Sequence, residues 1–221
     1  MIPLSVPNLC GNELKYVKKC IKTEWISTAG NYISLFEKKV ASYLNSKYAV
    51  ACINGTSALQ VALRILEVGN GDEVIVPTLT FIAPINSVIY NNAKPIFMDC
   101  DNFYNMDVEK TIKFIKNETV FRNNFTFNKK TKKRIPVILP VHLWGNAARL
   151  EGLVKICKER NISIVEDAAE SFGTKYTNGN LKNRFTGTIG KVGCLSFNGN
   201  KIITTGGGGM ILTNNQKLAK K

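Results

Sequence analysis

Along the chain, segments in which apolar residues recur with the period of a helix alternate with segments that are almost continuously apolar. Ile33, Phe36 and Val40 recur at close to 3.6-residue spacing, which is typical of a helix with one buried face. The next segment, YAVACIN at 48–54, is almost continuously apolar, as in a strand that is buried on both sides. Because such strands alternate with amphipathic helices, the pattern predicts an α/β fold with a mostly parallel sheet and helices on both faces.

The same pattern divides the remaining sequence into further elements of a single domain over residues 1–221. Residues 118–134, ETVFRNNFTFNKKTKKR, interrupt the alternation and are interpreted as a loop insertion. Strands are predicted at 48–54, 73–78, 94–100, 134–145 and 162–168, and helices at 11–23, 31–45, 55–69, 81–92, 108–117 and 147–161.

The composition is that of a soluble globular protein. Of the 221 residues, 44% are hydrophobic and 21% are charged, which is enough apolar material for a sizeable core. No apolar run approaches the roughly 18 residues of a membrane span, and the N-terminus has no signal-peptide pattern. The six cysteines are scattered without CxxC spacing, so we expect no disulfide framework, no metal and a reducing cytoplasm.

The net charge of +14 makes nucleic-acid binding one interpretation. Much of the excess is local, because NKKTKKR at 128–134 contains five basic residues in seven. No aromatic residues interleave with this run, as a single-strand binder would need. We therefore expect a solvated basic loop and no nucleic-acid partner.

The first strand ends in a turn of small polar residues, at the edge of the sheet where ligands bind in α/β folds. In NGTSAL at 54–59, Gly55 permits a tight turn, and Thr56 and Ser57 bring hydroxyl and N–H groups to a helix start. This pattern is typical of a phosphate site, and an ordinary helix N-cap is the alternative.

Two further strand ends carry groups suited to a planar, charged ligand. Glu166 and Asp167 are adjacent in VEDAAES at 165–171, where a carboxylate is placed to hold a cation such as a protonated ring nitrogen. Helix capping by Asp167 is the alternative, and a metal is not expected because His142 is the only histidine. Phe81 in PTLTFIAP is placed to lie over a planar ring, with a core aromatic residue at a helix start as the alternative.

Lys201 stands among uncharged residues in SFNGNKIITTGGGGM at 196–210. Apolar, water-poor surroundings favour the neutral amine, a nucleophile that condenses with a carbonyl group. The glycines at 206–209 let the backbone approach a ligand closely, but their order is not that of a P-loop. A phosphate, a planar ring, a basic ring nitrogen and an aldehyde are together the parts of pyridoxal 5′-phosphate (PLP), which we therefore predict as the cofactor.

In these motifs the sequence resembles the DegT/StrS family of PLP-dependent sugar aminotransferases, from about residue 3 onward. The resemblance implies the aspartate-aminotransferase type of fold (PLP fold type I), with residues 1–221 as its N-terminal, cofactor-binding large domain. It assigns the Schiff base and catalysis to Lys201, a phosphate contact to Ser196, the pyridine nitrogen to Asp167, the vicinity of the ring hydroxyl to Glu170, phosphate binding to Gly55, Thr56 and Ser57, ring stacking to Phe81, and the substrate end to Ser27, Thr28 and Gly30.

The stretches PLSVPNLCGNE and SFNGNKIITTGGGGM resemble the branch that aminates C4 of nucleotide-linked 4-keto-6-deoxy-N-acetylhexosamines. This resemblance implies glutamate as amino donor, a role in legionaminic acid or bacillosamine synthesis for bacterial surface glycans, and a cytoplasmic homodimer with shared active sites. Two positions depart from many relatives: Lys191 replaces an aspartate, and Gly207 replaces a glutamate. The second change recurs in the bacillosamine-like branch.

The sequence stops at Lys221, whereas family members continue into a C-terminal small domain. We therefore expect a fragment that lacks this domain, and a non-catalytic remnant that binds PLP or a partner chain is the alternative function. A PLP-dependent sugar dehydratase is a closer alternative, but those relatives have histidine at the position of Lys201.

Overall fold

The computed structural model describes residues 2–3, 5–28 and 30–221. A nine-stranded sheet forms its centre. Seven strands follow the order β1-β9-β8-β7-β6-β2-β3, in which β9 alone runs antiparallel to its neighbours, and β4 and β5 join the sheet at β6. The predicted α/β fold with a mostly parallel sheet is confirmed. The strands are β1 Tyr48–Cys52, β2 Asp72–Pro77, β3 Lys94–Met98, β4 Thr119–Arg122, β5 Phe125–Asn128, β6 Arg134–Ile138, β7 Ser163–Asp167, β8 Val192–Ser196 and β9 Gly209–Thr213.

The central strands are buried on both sides, which explains their continuous apolar sequences. In β2, Val74 and Val76 enter the core on one face of the sheet, and Ile75 enters the core on the other face. All three side chains are fully buried. Because successive strand residues point to opposite faces, neither face leaves a polar pattern in the sequence.

Helices cover both faces of the sheet, as predicted. α3 and α4 pack against each other and cover the face of the sheet that carries Val74 and Val76. α2, α5 and α6 lie on the opposite face. In α3, Ala58, Leu59, Ala62 and Leu63 form one buried stripe, so that Leu63→Ala should cost roughly 2–5 kcal/mol of stability. The helices are α1 Glu13–Lys22, α2 Asn31–Tyr43, α3 Gly55–Ile65, α4 Ile82–Tyr90, α5 Val108–Asn117, α6 Glu151–Glu159 and α7 Gln216–Ala219.

The structure corrects the prediction of a loop at 118–134. β4 and β5 pair as an antiparallel hairpin, and Phe127 pairs with Arg134 at the start of β6. The basic residues that follow β5 form the connection to β6, on the side of the sheet where the parallel strands begin. That this segment is an insertion stays a prediction.

The sequence pattern also missed β8 and β9. They pair with each other antiparallel, and β9 pairs on its other side with β1. The strands flank the segment around Lys201, which leaves the sheet after Ser196 and returns to it at Gly209.

Candidate active site

Several chain segments meet at the ends of the parallel strands and enclose a cavity of about 380 Å³. This is the edge at which α/β sheets bind ligands. The lining residues come from the turn into α3, the start of α4, the ends of β6, β7 and β8, and the segment around Lys201. They are Asn54, Gly55, Thr56, Leu59, Phe81, Ala83, Val141, His142, Leu143, Asp167, Ala169, Glu170, Ser196, Asn198, Asn200 and Lys201.

The turn into α3 is a capped helix start that also forms one wall of the cavity. Asn54 is the N-cap, because its Oδ1 accepts a hydrogen bond from the N–H of Ser57 at 2.8 Å. The turn is therefore a helix cap, but the capping residue is Asn54 and not Thr56 or Ser57, and phosphate binding by this turn stays a prediction. Thr56 lines the cavity, whereas Ser57 is not among the lining residues.

Close packing around this turn requires glycine at two positions. A Cβ on Gly55 would lie 2.8 Å from the Cβ of Ser196, and a Cβ on Gly209 would lie 2.3 Å from the backbone of Asn54. The helix start, the Ser196 hydroxyl and the glycine-rich return are thereby held together. Free N–H groups of a helix N-terminus together with nearby hydroxyls are suited to a phosphate group.

Asp167 lies at the end of β7 and is 5% exposed. Its Oδ1 accepts a hydrogen bond from the N–H of Ala169 at 3.0 Å. Burial raises the pKa of Asp167 to about 6, although this hydrogen bond and the nearby His142 and Lys201 oppose the rise. Within the described residues Asp167 has no ion-pair partner, so its carboxylate is available to a cation in the cavity.

Lys201 is paired with a carboxylate. Its Nζ lies 3.0 Å from Oε1 of Glu170, and its side chain is 16% exposed. The other oxygen, Oε2, accepts a hydrogen bond from the N–H of Trp144 at 3.0 Å. The predicted apolar surroundings of Lys201 are therefore wrong in this respect, because a carboxylate lies within ion-pair distance of the amine.

Phe81 is an exposed aromatic residue at the mouth of the cavity. It directly precedes α4 and is 72% exposed, so the interpretation as a core residue is wrong. Its ring has no aromatic partner in the part of the chain that the structure describes. Phe81 is thus free to pack on a planar ligand.

The structure does not bring Ser27, Thr28 and Gly30 to this cavity. They lie before α2, where the N–H of Gly30 donates to the carbonyl oxygen of Ser27 at 3.3 Å. Their assignment to the substrate end stays a prediction.

Sequence analysis missed a buried pair behind the cavity wall. Nε2 of His142 lies 2.9 Å from Oε2 of Glu166, and both side chains are fully buried. Glu166 lies in β7 and His142 lies after β6, 24 positions apart, so no local spacing in the sequence signals their contact.

Among the described residues no group of three or more acidic, histidine or cysteine side chains could hold a metal ion. No helix of the described residues has the length and apolar character for a membrane span.

Comparison with known proteins gives a family match and several relatives. A family model described as the DegT/DnrJ/EryC1/StrS aminotransferase family matches residues 7–221. GDP-perosamine synthase of Escherichia coli O157:H7 is 43% identical over 217 residues, which are 98% of this chain and 54% of that protein. The chain thus spans about half the length of the curated relatives that it matches.

Solved structures share the fold. An aminotransferase from Psychrobacter cryohalolentis superposes with a TM-score of 0.82 at 34% identity, covering 97% of this chain and 50% of that one. A GDP-4-keto-6-deoxy-D-mannose-3-dehydratase of E. coli with bound hydrated PLP superposes with a TM-score of 0.83 at 26% identity, covering 99% of this chain and 52% of that one. These superpositions confirm the fold that the sequence resemblance implied.

Proposed function

Because the chain belongs to the DegT/DnrJ/EryC1/StrS aminotransferase family, we propose that it is a PLP-dependent aminotransferase of nucleotide-linked sugars. The observation that carries this proposal is the meeting of Lys201, Asp167 and the start of α3 around one cavity. Each of these groups meets a different chemical requirement of PLP.

The residues around the cavity fit the cofactor part by part. Lys201 would hold the aldehyde through Nζ, and the unpaired, buried carboxylate of Asp167 would hold the ring nitrogen. The α3 N-terminus would take the phosphate, with Gly55, Thr56 and Ser57 in the turn and the hydroxyl of Ser196 beside it. Phe81 would cover one face of the ring, and Glu170 would lie near the ring hydroxyl.

When bound, PLP supplies a ring that takes up the electrons released as a C–H bond breaks. The chain supplies the proton transfers. Nζ of Lys201 would accept the proton from the α-carbon of the amino donor and would later donate a proton to the sugar carbon that receives the amino group. The carboxylate of Glu170 contacts the same amine and would hold Nζ of Lys201 in position between these two proton transfers.

For the substrate, we infer a ketone at C4 of a nucleotide-linked 6-deoxysugar, with glutamate as amino donor. On the sequence resemblance, we propose more specifically that the sugar is an N-acetylhexosamine of the legionaminic acid or bacillosamine type. The similarity to a GDP-perosamine synthase favours a GDP-linked sugar as second candidate. The formal charge of +14 is suited to attract either doubly anionic substrate over a distance. A cytoplasmic homodimer with shared sites remains part of the proposal.

The first test is covalent capture of the cofactor. The chain is incubated with PLP, reduced with borohydride and dialysed, and the modified residue is located by mass spectrometry. We expect the label on Lys201 and none in Lys201→Ala, whereas Lys191→Ala, which removes an exposed lysine outside the cavity, should be labelled like the parent chain. Labelling spread over surface lysines would contradict the proposed site.

The second test is turnover with glutamate and either a UDP-linked 4-keto-6-deoxy-N-acetylhexosamine or GDP-4-keto-6-deoxy-D-mannose. Release of 2-oxoglutarate that depends on one sugar would support the proposal and identify the substrate. Specific label on Lys201 without turnover on either sugar would instead support the alternative of a non-catalytic, PLP-binding chain.

A further inference from the structure

The buried Glu166 joins residues 187–190 to His142, which lines the cavity. Its Oε1 accepts hydrogen bonds from the N–H groups of Ile189 and Gly190, both at 2.6 Å. Its Oε2 accepts from the N–H of Gly187 at 2.8 Å and contacts Nε2 of His142 at 2.9 Å. Four donors thus surround one carboxylate that has no contact with solvent.

The partners of His142 determine which of its nitrogens carries the proton. Nδ1 lies 3.0 Å from the N–H of Ala148, so it acts as an acceptor. Nε2 must then carry the hydrogen and donate it to Glu166. The neutral imidazole therefore links the end of β7 to Ala148, and neither ring nitrogen is available for chemistry in the cavity.

The imidazole closes a short backbone loop, residues 142–148. Inside it Trp144 and Gly145 have φ angles of 52° and 84°, in the left-handed region. The N–H of Trp144 donates to Oε2 of Glu170, and the carbonyl oxygen of Gly145 accepts from the hydroxyl of Thr174 at 2.9 Å. The loop thus presents one backbone N–H to the carboxylate that contacts Lys201.

We propose that Glu166 and His142 are positioning residues for Lys201. They hold the 142–148 loop so that Trp144 keeps the carboxylate of Glu170 against Nζ of Lys201. This inference rests on the proposed function in one respect, the role of Lys201 as the reactive amine. The arrangement of the loop itself can be tested without cofactor.

Two substitutions of His142 separate its two hydrogen bonds. His142→Gln can still donate to Glu166 from the position of Nε2, but it offers no acceptor to Ala148. His142→Asn can accept from Ala148 at the position of Nδ1, but it does not reach Glu166. The proposal needs both hydrogen bonds, so it predicts that each variant loosens the loop, the glutamine variant at Ala148 and the asparagine variant at the contact with Glu166.

The first measurement uses the cofactor-free chain in a Trp25→Phe background, so that Trp144 is the only fluorophore of its kind. In His142→Gln we expect a changed Trp144 emission, because the exposed indole packs edge-to-face on the ring of Tyr104. Amide exchange at Ala148 should be faster by about tenfold, as for the loss of one buried hydrogen bond. Glu73→Gln, at a buried carboxylate on β2 that accepts from Asn128 and Thr131, is the control and should change neither signal. Equal exchange in His142→Gln and the parent chain would overturn the proposal.

The second measurement is the rate at which PLP becomes trapped on Lys201 by borohydride, for His142→Gln, Glu170→Gln and the double variant. If the loop acts through Glu170, the two changes should be non-additive, and the double variant should match Glu170→Gln. Additive rates would overturn the coupling. If no variant traps PLP specifically, the proposed function fails, while the fluorescence and exchange results still decide the position of the loop.

A measurement on the unmutated chain covers the case in which the His142 variants do not fold. The amide of Ala148 should then exchange together with that of Gly187, because both are held through the same buried pair. The proposal would be contradicted if the amide hydrogen of Ala148 exchanged as fast as in an unstructured peptide while the amide hydrogen of Gly187 stayed protected.

Discussion

Nζ of Lys201 lies 3.0 Å from Oε1 of Glu170, so a carboxylate holds this amine in the cofactor-free chain. The same Nζ would condense with the aldehyde of PLP. Capture of PLP must therefore break this contact.

The substitution Glu170→Gln should accelerate capture of PLP by about two- to tenfold, because Nζ of Lys201 no longer has to leave an ion pair. Its effect on stability should stay within about 1 kcal/mol, since the pair is partly exposed. Rates of borohydride trapping at one fixed pH would measure this gain. Glu67→Gln, which breaks the surface pair with Lys221, is the matched control. A slower capture in Glu170→Gln would contradict this interpretation.

Asp167 should make the cofactor-free protein less stable as the pH rises. Its folded pKa of about 6 lies above the unfolded value of about 3.9, so the folded chain binds more protons in that window. The free energy of unfolding should fall by roughly 3 kcal/mol between these pH values. Asp167→Asn should therefore be more stable than the parent at pH 7.5 and equal to it at pH 4, as measured by urea unfolding.

Adding PLP should reverse the order at pH 7.5, because the ionised Asp167 then gains a cationic partner. Glu109→Gln on the exposed surface of α5 controls for the loss of one negative charge. A stability gain of the same size at pH 4 would show that the effect has another cause.

A methyl group at Gly209 should disturb the turn that we assign to phosphate binding. The added Cβ would meet the backbone of Asn54 and the N–H of Gly55, which cannot rotate away. We expect Gly209→Ala to lose about 3 kcal/mol or more of stability, at or above the upper end for overpacking. At Gly207 the same methyl group would meet nothing within 4 Å, so Gly207→Ala serves as control. Similar thermal unfolding of both variants would contradict the close approach.

Phe81→Ala should weaken PLP binding without changing the stability of the cofactor-free chain. The side chain is 72% exposed, so little apolar contact is lost within the protein. Stacking of a ring on an aromatic side chain contributes about 0.5–1.5 kcal/mol, which corresponds to a roughly two- to tenfold weaker affinity. Titration by PLP absorbance would measure it, with Phe97→Ala, an exposed phenylalanine on β3 outside the cavity, as comparison. Equal affinities in both variants would refute the stacking role.

The parts of the site that lie just past apolar strands could be predicted from sequence. Asp167 is the last residue of β7 and the turn at Gly55 follows β1, so both lie next to apolar residues that mark a strand. β8 and β9 were missed because Gly193 and Gly209 weaken the strand pattern, although the sheet packs closely at both positions.

The hairpin at 119–128 did carry a local signal. Asn123 and Asn124 both have positive φ, as in the two-residue turns that join antiparallel strands. The Glu166–His142 contact had none, since hydrogen bonds between distant segments depend on the completed sheet. The Glu170–Lys201 pair was likewise invisible in the sequence, because the two residues are 31 positions apart.

The place of β9 in the sheet has a consequence for the order in which the molecule can assemble. β1 has β9 as its sheet neighbour, and β9 is the ninth and last strand of the described chain. During synthesis β1 therefore has no partner in this sheet until about 160 further residues have been made. The turn at Gly55 gains its neighbours Ser196 and Gly209 at the same late moment. The cavity can consequently form only after β9 has been made, and a nascent chain could not retain a cofactor there before β9 has joined the sheet.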